Sequence, residues 1–392
     1  MSHPELESLK RFLSSDALKS FPGCGVTSCF QVDQAWNYLK WLPFTEGVSG
    51  VDRICQLQYP PINNLIIDTR MDSIEDYSWA AQFVQYDQYN ALVQGYSHRV
   101  FEWHSAFYIW KTSSPSPTLR GSLYDWYLAT NGGYWGTRAG LSGPVRLNFN
   151  RLDWTLQVVN TLPTAFVGTT IRWTAYTLNG TRVAGDVIPV QAQLIAKLPW
   201  IQIEQEFMPE LQNILLYRIE VGYKDERDST IHSTRNDYYL TDPSIGSHSQ
   251  SRYALLGAYR KVMQRVRLEV TCTAEADSMD ISCKGDHLQK ETIAIMARFT
   301  LVLDPSMPDE SDNRILPSFY SQNYITLLPG ESSNVSINAT KEQKETWTCL
   351  PDGYVGVGTR KRGGFFLMVS VDGYNVAQQT ILISCIDLLA TT

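Results

Sequence analysis

A chain of 392 residues is long for a single core and suggests two or three domains, and its 43% hydrophobic and 19% charged residues are ordinary for a folded globular protein. A net charge of −7 speaks against a nucleic-acid partner; the dense basic run, Arg360-Lys361-Arg362, sits beside glycines in an expected hairpin turn. No stretch approaches the roughly 18 uninterrupted apolar residues of a membrane helix, and the opening MSHPELESLKRFLSSD lacks the apolar core of a secretory signal.

In chain order, residues 5 to 19 read as amphipathic and helical, followed by a Gly/Cys loop and an irregular stretch through Pro60-Pro61. Ser73 opens the clearest helix. Its hydroxyl can cap the first turn together with Asp76, and Trp79, Phe83, Tyr86, Ala91 and Val93 recur near helical spacing. SAFYIW, from Ser105 to Trp110, reads as a short apolar strand ended by TSSPSP, and residues 118 to 141 as a second helical stretch. Helix, strand, loop and helix in that order make one unit of an α/β fold.

From Gly143 the texture changes. VRLNFNRLDWTLQVVNT, TIRWTAYTLNGTRVAG, NILLYRIEVGYK and NDYYLTD alternate apolar and polar residues between turn residues, as antiparallel strands facing a core on one side do. One sandwich of about 100 residues accounts for them. The polar run DPSIGSHSQS reads as a linker, and VRLEVTCTA, MDISCKG, IAIMARFTLVLD, NYITLLPGESSNVSI and FFLMVSVDG supply a second set of strands.

Seven cysteines are too few and too scattered for a disulfide framework. Cys24 and Cys29 have no following Cys or His pair at zinc-site spacing, so no metal is expected. Cys272 and Cys283 either bridge two adjacent strands in an oxidising compartment or stay free and buried. Three Asn-x-Ser/Thr triplets, at Asn179, Asn334 and Asn338, lie in turn-like or strand-edge segments where a glycan is tolerated. Aromatic residues reach 12% and cluster between Trp79 and Trp135. Such rings either fill β-rich cores or stack against the apolar face of a pyranose.

At QYDQYNALVQGYSHRVFEWHSAFYIWKTSSPSPTLRGSLYDWYLATNGGYWGTRAGL the sequence resembles the end of the (β/α)8 barrel of glycoside hydrolase family 2, most of all the plant-type mannosylglycoprotein endo-β-mannosidases and next the exo-β-glucosaminidases. ILPSFYSQNYITLLPGESSNVSI resembles the C-terminal sandwich of the same enzymes. The resemblance implies a multidomain chain: a C-terminal fragment of a (β/α)8 barrel over 1–142, an immunoglobulin-like β-sandwich over 143–241, a linker over 242–260 and a C-terminal β-sandwich over 261–392. A whole barrel takes about 250 residues, so most of it would be missing.

In the family, one catalytic glutamate follows the fourth barrel strand and the other ends the seventh. SHPELESLKRFLSSDALKSFP resembles the segment just after the second of these glutamates, which implies that both lie upstream of Met1 and that the chain alone is inactive. Retaining glycosidases need two carboxyls about 5 to 5.5 Å apart, and no pair here can be assigned those roles. Glu102, beside Trp103, reads as a solvated charge at a helix end, and Glu46 and Asp52 as loop charges. By resemblance Trp110, ending the last barrel strand, is the stacking platform for the sugar and Lys111 a hydroxyl or carboxylate contact. TSSPSP departs from the family's loop at that point.

No P-loop, dinucleotide fingerprint or Ser/His/Asp arrangement occurs, and no cofactor is expected. The expected partners are an oligosaccharide or glycoprotein glycan and an N-terminal barrel chain, with neither nucleic acid nor membrane. A vacuolar or secreted location is expected if the full-length protein carries a leader. Two other readings stay open: a non-catalytic carbohydrate-binding or structural sandwich protein, and an exo-β-glucosaminidase-type fragment.

Overall fold

In the computed structural model the N-terminal amphipathic segment breaks into two short helices, α1 (Leu6–Phe12) and α2 (Ser15–Lys19). Leu13 leaves helical geometry at φ −98° and ψ 140°, and Ser14 Oγ accepts the Ala17 N–H at 3.2 Å to start the second helix. The structure describes residues 3–21, 34–39, 73–98, 100–103, 105–109, 111–119, 123–151, 153–161, 167–190, 195–201, 214–224, 230–241, 256, 259–260, 263–304, 312–357 and 365–386. They form two units: one takes 1–3, 19–124 and 130–262, and the other takes 4–18, 125–129 and 263–392.

The first unit holds α3 (Gln34–Tyr38), α4 (Ile74–Ser97) and α5 (Gly132–Gly140). Ser73 caps α4 as its sequence predicts, accepting the Asp76 N–H at 3.1 Å and donating to the Asp76 carboxylate at 2.9 Å. Helix α5 lies against α4 along Gly132, Gly136 and Gly140. A Cβ at Gly132 would sit 2.1 Å from Gln82 O, and one at Gly136 2.0 Å from Tyr86 O, so only glycine permits this approach.

Two expectations fail here. The helix expected over 118–141 is confined to Gly132–Gly140, because the Asp125 carboxylate accepts the N–H groups of Tyr127 and Ala129 at 2.9 and 3.0 Å, a local turn that competes with helix. The strand expected from Ser105 to Trp110 is absent over 105–109, which forms no ladder, and Trp110 lies outside the described residues. Among the described residues no strand pairs with it, and an unpaired segment has no hydrogen-bonding gain to offset its ordering.

Seven strands complete the unit: β1 (Val145–Asn150), β2 (Thr155–Asn160), β3 (Val167–Tyr176), β4 (Arg182–Pro189), β5 (Ile195–Lys197), β6 (Ile214–Lys224) and β7 (Ile231–Thr241). They form antiparallel sheets in the orders β1-β2-β5 and β4-β3-β6-β7. Side chains from both sheets share one core, including Leu147, Phe149, Trp154, Ile171, Trp173 and Tyr217. Helix α4 lies along the free edge of β1: Gln94 accepts the Phe149 N–H at 3.0 Å and donates to Tyr238 Oη at 2.8 Å, and Arg151 grips Asp87 through two bonds of 2.7 Å. Within the segment expected as a linker, residues 256, 259 and 260 are described and buried; Tyr259 donates to Leu178 O and Arg260 pairs with Asp76 at 2.8 Å.

The second unit is built on β8 (Glu269–Glu275), β9 (Ile281–Asp286), β10 (Ala294–Leu303), β11 (Ser318–Tyr320), β12 (Ile325–Leu327), β13 (Ser332–Ala339), β14 (Trp347–Cys349), β15 (Val355–Val357), β16 (Phe365–Asp372) and β17 (Gln379–Ile386), with α6 (Lys341–Lys344) after β13. The main path runs β11-β13-β9-β8-β17-β16-β10-β12, with β15 attached to β16 and β14 to β15. All pairs are antiparallel except β8 with β17. Cys272 and Cys283, directly opposed in the β8–β9 register, form a disulfide, and Cys349 and Cys385 form another. The strands meet in one aliphatic core around Phe299, Leu301, Val335, Val355, Leu367, Val369 and Ile383. Among the described residues no helix is long and apolar enough to cross a membrane.

Candidate functional site

The last turn of α4 and the chain after it carry a run of exposed rings. Tyr96 stacks on Phe107 with centroids 5.0 Å apart and planes 12° from parallel, while Trp103 is 78% and Tyr108 93% exposed. Phe101 stands out beside them. Isolated apolar side chains on a surface are ordinary, but a contiguous aromatic run marks a surface that meets something.

Lys111 comes directly after this run and is exposed at φ 71°, a left-handed conformation uncommon for a side chain with a Cβ. The next residue is tethered: Thr112 O accepts the N–H groups of Leu123 and Tyr124 at 3.0 and 2.8 Å. Tyr124 in turn meets Tyr134 of α5 with ring centroids 5.2 Å apart, and burial, aided by the Tyr134 hydroxyl, pushes the Tyr124 phenol up to about 12. The glycine-packed α4–α5 pair therefore fixes the far end of the loop that presents Lys111. Trp110 lies outside the described residues, as do Glu46 and Asp52. Glu102 is exposed in a turn.

Carboxylates that sequence reasoning passed over are buried in the second unit. Glu5 contacts Arg298 at 2.9 Å, Arg314 at 3.2 Å and the Tyr324 hydroxyl at 2.8 Å. Arg298 also holds Asp372 through bonds of 2.9 and 2.6 Å and reaches Glu7 at 3.4 Å. Arg314 pairs with Asp312 at 2.6 Å and donates to Ser8 Oγ at 2.9 Å, and Ser8 donates to Asp125. Every one of these acids is engaged by guanidinium or hydroxyl, which makes the cluster a clasp for the α1 segment and leaves no carboxyl pair arranged as nucleophile and proton donor. The signal was present in IAIMARFTLVLD: an arginine inside a fully apolar strand must find an acid. Among the described residues no group of His, Cys, Asp and Glu is placed to hold a metal.

The family described as the exo-β-D-glucosaminidase Ig-fold domain matches residues 249–349. A mannosylglycoprotein endo-β-mannosidase of Lilium longiflorum is 24% identical over 374 residues, covering 81% of this chain and 37% of that protein. An exo-β-D-glucosaminidase of Streptomyces avermitilis is 23% identical over 332 residues, covering 79% of this chain and 33% of its own length. The chain matches the C-terminal region of glycoside hydrolase family 2. It spans between a third and two fifths of the length of these relatives. In fold it is similar to the exo-chitosanase of Amycolatopsis orientalis solved with PNP-β-D-glucosamine, at a TM-score of 0.67 and 17% identity, over 97% of this chain and 41% of the other. It is also similar to the β-D-mannosidase of Dictyoglomus thermophilum, at 0.52 and 13%, over 98% of this chain and 37% of the other. The family 2 relatives are glycoside hydrolases, and the mostly β architecture with an immunoglobulin-like domain agrees with them.

Proposed function

We propose that the chain is the C-terminal part of a retaining family 2 glycosidase acting on β-mannosidic linkages of glycans, in which residues 1–142 finish a (β/α)8 barrel and 143–241 and 261–392 are sandwiches flanking the segment 242–260. The observation that carries this reading is the 24% identity with the lily endo-β-mannosidase over 81% of the chain. On this reading the exposed rings from Tyr96 to Tyr108 face the remainder of the barrel, Trp110 is the stacking platform for the sugar, and Lys111 contacts a hydroxyl or carboxylate at its rim. On this reading both catalytic glutamates belong to barrel sequence outside these 392 residues, which agrees with the described carboxylates of the second unit being tied to arginines.

A second reading, an exo-β-glucosaminidase-type enzyme, is favoured by the Ig-fold match over 249–349. Aryl β-mannoside and aryl β-glucosaminide assays separate the two. The chain alone is expected to turn over neither, and the chain joined to the preceding barrel sequence to turn over the mannoside. In that longer protein Lys111→Ala is expected to raise KM several-fold with the fold intact. Turnover by the 392-residue chain itself sinks the placement of the glutamates, and binding of oligosaccharide without turnover in the longer protein favours a carbohydrate-binding module.

A further inference from the structure

Strand β13 carries two of the acceptor triplets, Asn334-Val335-Ser336 and Asn338-Ala339-Thr340, and both asparagines are exposed on its outward face. That face is otherwise hydrophilic: Asn334 stands opposite Lys284 and Ser336 opposite Ser282 on β9. One side chain breaks the pattern. Phe319 on β11 is 55% exposed and is the only large apolar side chain in the open on β8, β9, β11 and β13. In the β11–β13 register it lies directly across from Asn338. Opposed residues on one face of an antiparallel pair have Cβ atoms about 4.5 to 5.5 Å apart, within reach of a sugar attached to the amide.

We infer that Asn338 is an acceptor for an N-linked glycan whose first N-acetylhexosamine packs its C–H face on the Phe319 ring. In the folded strand the attached amide is steadied, its Oδ1 accepting the Ala339 N–H at 2.9 Å. The other two triplets lack one feature or the other. Asn334 has a lysine opposite it and no ring, and Asn179 is half-buried with Oδ1 engaged by Thr177 and by the Thr181 N–H at 3.1 Å. The same unit contains the Cys272–Cys283 and Cys349–Cys385 disulfides, which form in an oxidising compartment of the kind where glycan transfer occurs. The donor is a lipid pyrophosphate-linked oligosaccharide. The Asn338 amide nitrogen forms the bond to the sugar C1, the C1–O bond breaks with its electron pair leaving on the pyrophosphate, and the amide proton passes to a base of the transferase. Packing on Phe319 then removes that ring from water and orders the first sugar.

The test is to pass the full chain, behind a secretory leader, through a eukaryotic secretory pathway and to map occupancy by enzymatic glycan release, which leaves Asp in place of the modified Asn. Expected are release at 338, loss of that signal in Asn338→Gln and its retention in Thr340→Ser. Deglycosylation is expected to lower Tm by about 2 to 4 °C in the parent and by much less in Phe319→Ser, which keeps the attachment. An unmodified Asn338 overturns the inference. Because transfer precedes folding, translation into microsomes reads occupancy even where a variant fails to fold. A Tm drop of equal size in Phe319→Ser overturns the packing on the ring.

Discussion

Glu7 reaches across to the Arg298 guanidinium at 3.4 Å while 29% of its side chain stays open to water. Burial works against its charge, yet Arg298 and Arg314 together outweigh that cost and hold the carboxyl down at about 2. A carboxylate whose folded pKa lies below its unfolded value of roughly 4.3 contributes stability that is fully present above that value and disappears as pH falls toward the folded one. Two other acids of the cluster, Asp372 and Asp125, shift in the opposite sense because burial raises them, while at Asp312 burial is outweighed by the Arg314 guanidinium beside it, which lowers that one. The contribution of Glu7 is therefore best read as a difference between parent and Glu7→Gln. Above pH 5 the variant is expected to be less stable by on the order of 1 to 2 kcal/mol, a value reduced from the full shift because the group is partly solvated. The gap should close as pH falls from about 4.5 to 2. Urea unfolding of both proteins at pH 6 and near pH 2.5 checks it, and a gap that stays constant with pH rules out the charge as its source.

Helix α5 depends on three small residues meeting the backbone of α4. With a Cβ at Gly136 placed 2.0 Å from Tyr86 O, Gly136→Ala must push the helices apart, although alanine is the better helix former in isolation. The expected cost is about 2 to 4 kcal/mol, typical of overpacking where backbone must yield. Alanine at the solvent-facing Gly95 of α4, where nothing lies within 4 Å, should be neutral or stabilising, and thermal melts of the two variants give the contrast. The sequence shows α4 plainly through its Ser73 cap and helical period, and shows the hairpins β1–β2 and β3–β4 through alternation broken by turn residues. It does not show where α5 begins, because the Asp125 turn that displaces helix is a side-chain choice available to any aspartate. Nor does it settle SAFYIW, whose six-residue run has strand composition while the described part makes no ladder, since pairing depends on neighbours that composition does not reveal. The site divides the same way. Lys111 is a proposal that rests on resemblance, and its left-handed backbone and the Thr112–Tyr124 tether come only from tertiary structure.

At the scale of the molecule, the second unit gathers segments from both ends of the chain. Glu5 meets Arg314 across 309 positions of sequence, a pairing no local pattern announces. Contacts so distant cost loop-closure entropy before they return anything, so the sandwich needs other means of restricting its unfolded state. The Cys349–Cys385 disulfide supplies one, tying β14 to β17 across 36 residues, and the Cys385 N–H also donates to Gly353 O at 2.8 Å. Closing a loop of that size lowers the entropy of the unfolded chain by the equivalent of about 3 to 4 kcal/mol, about 1 kcal/mol more than the shorter Cys272–Cys283 loop of 11 positions by the same relation. Replacing Cys349 and Cys385 together by serine should therefore destabilise the second unit by that order. Trp347, buried two residues before Cys349, provides the fluorescence signal in urea. The m-value should rise as well, because the unfolded chain released from its crosslink exposes more surface. A double variant with the parental midpoint and slope would show that the bond forms without constraining the unfolded chain, and would shift the burden of holding the sandwich to the arginine clasp alone.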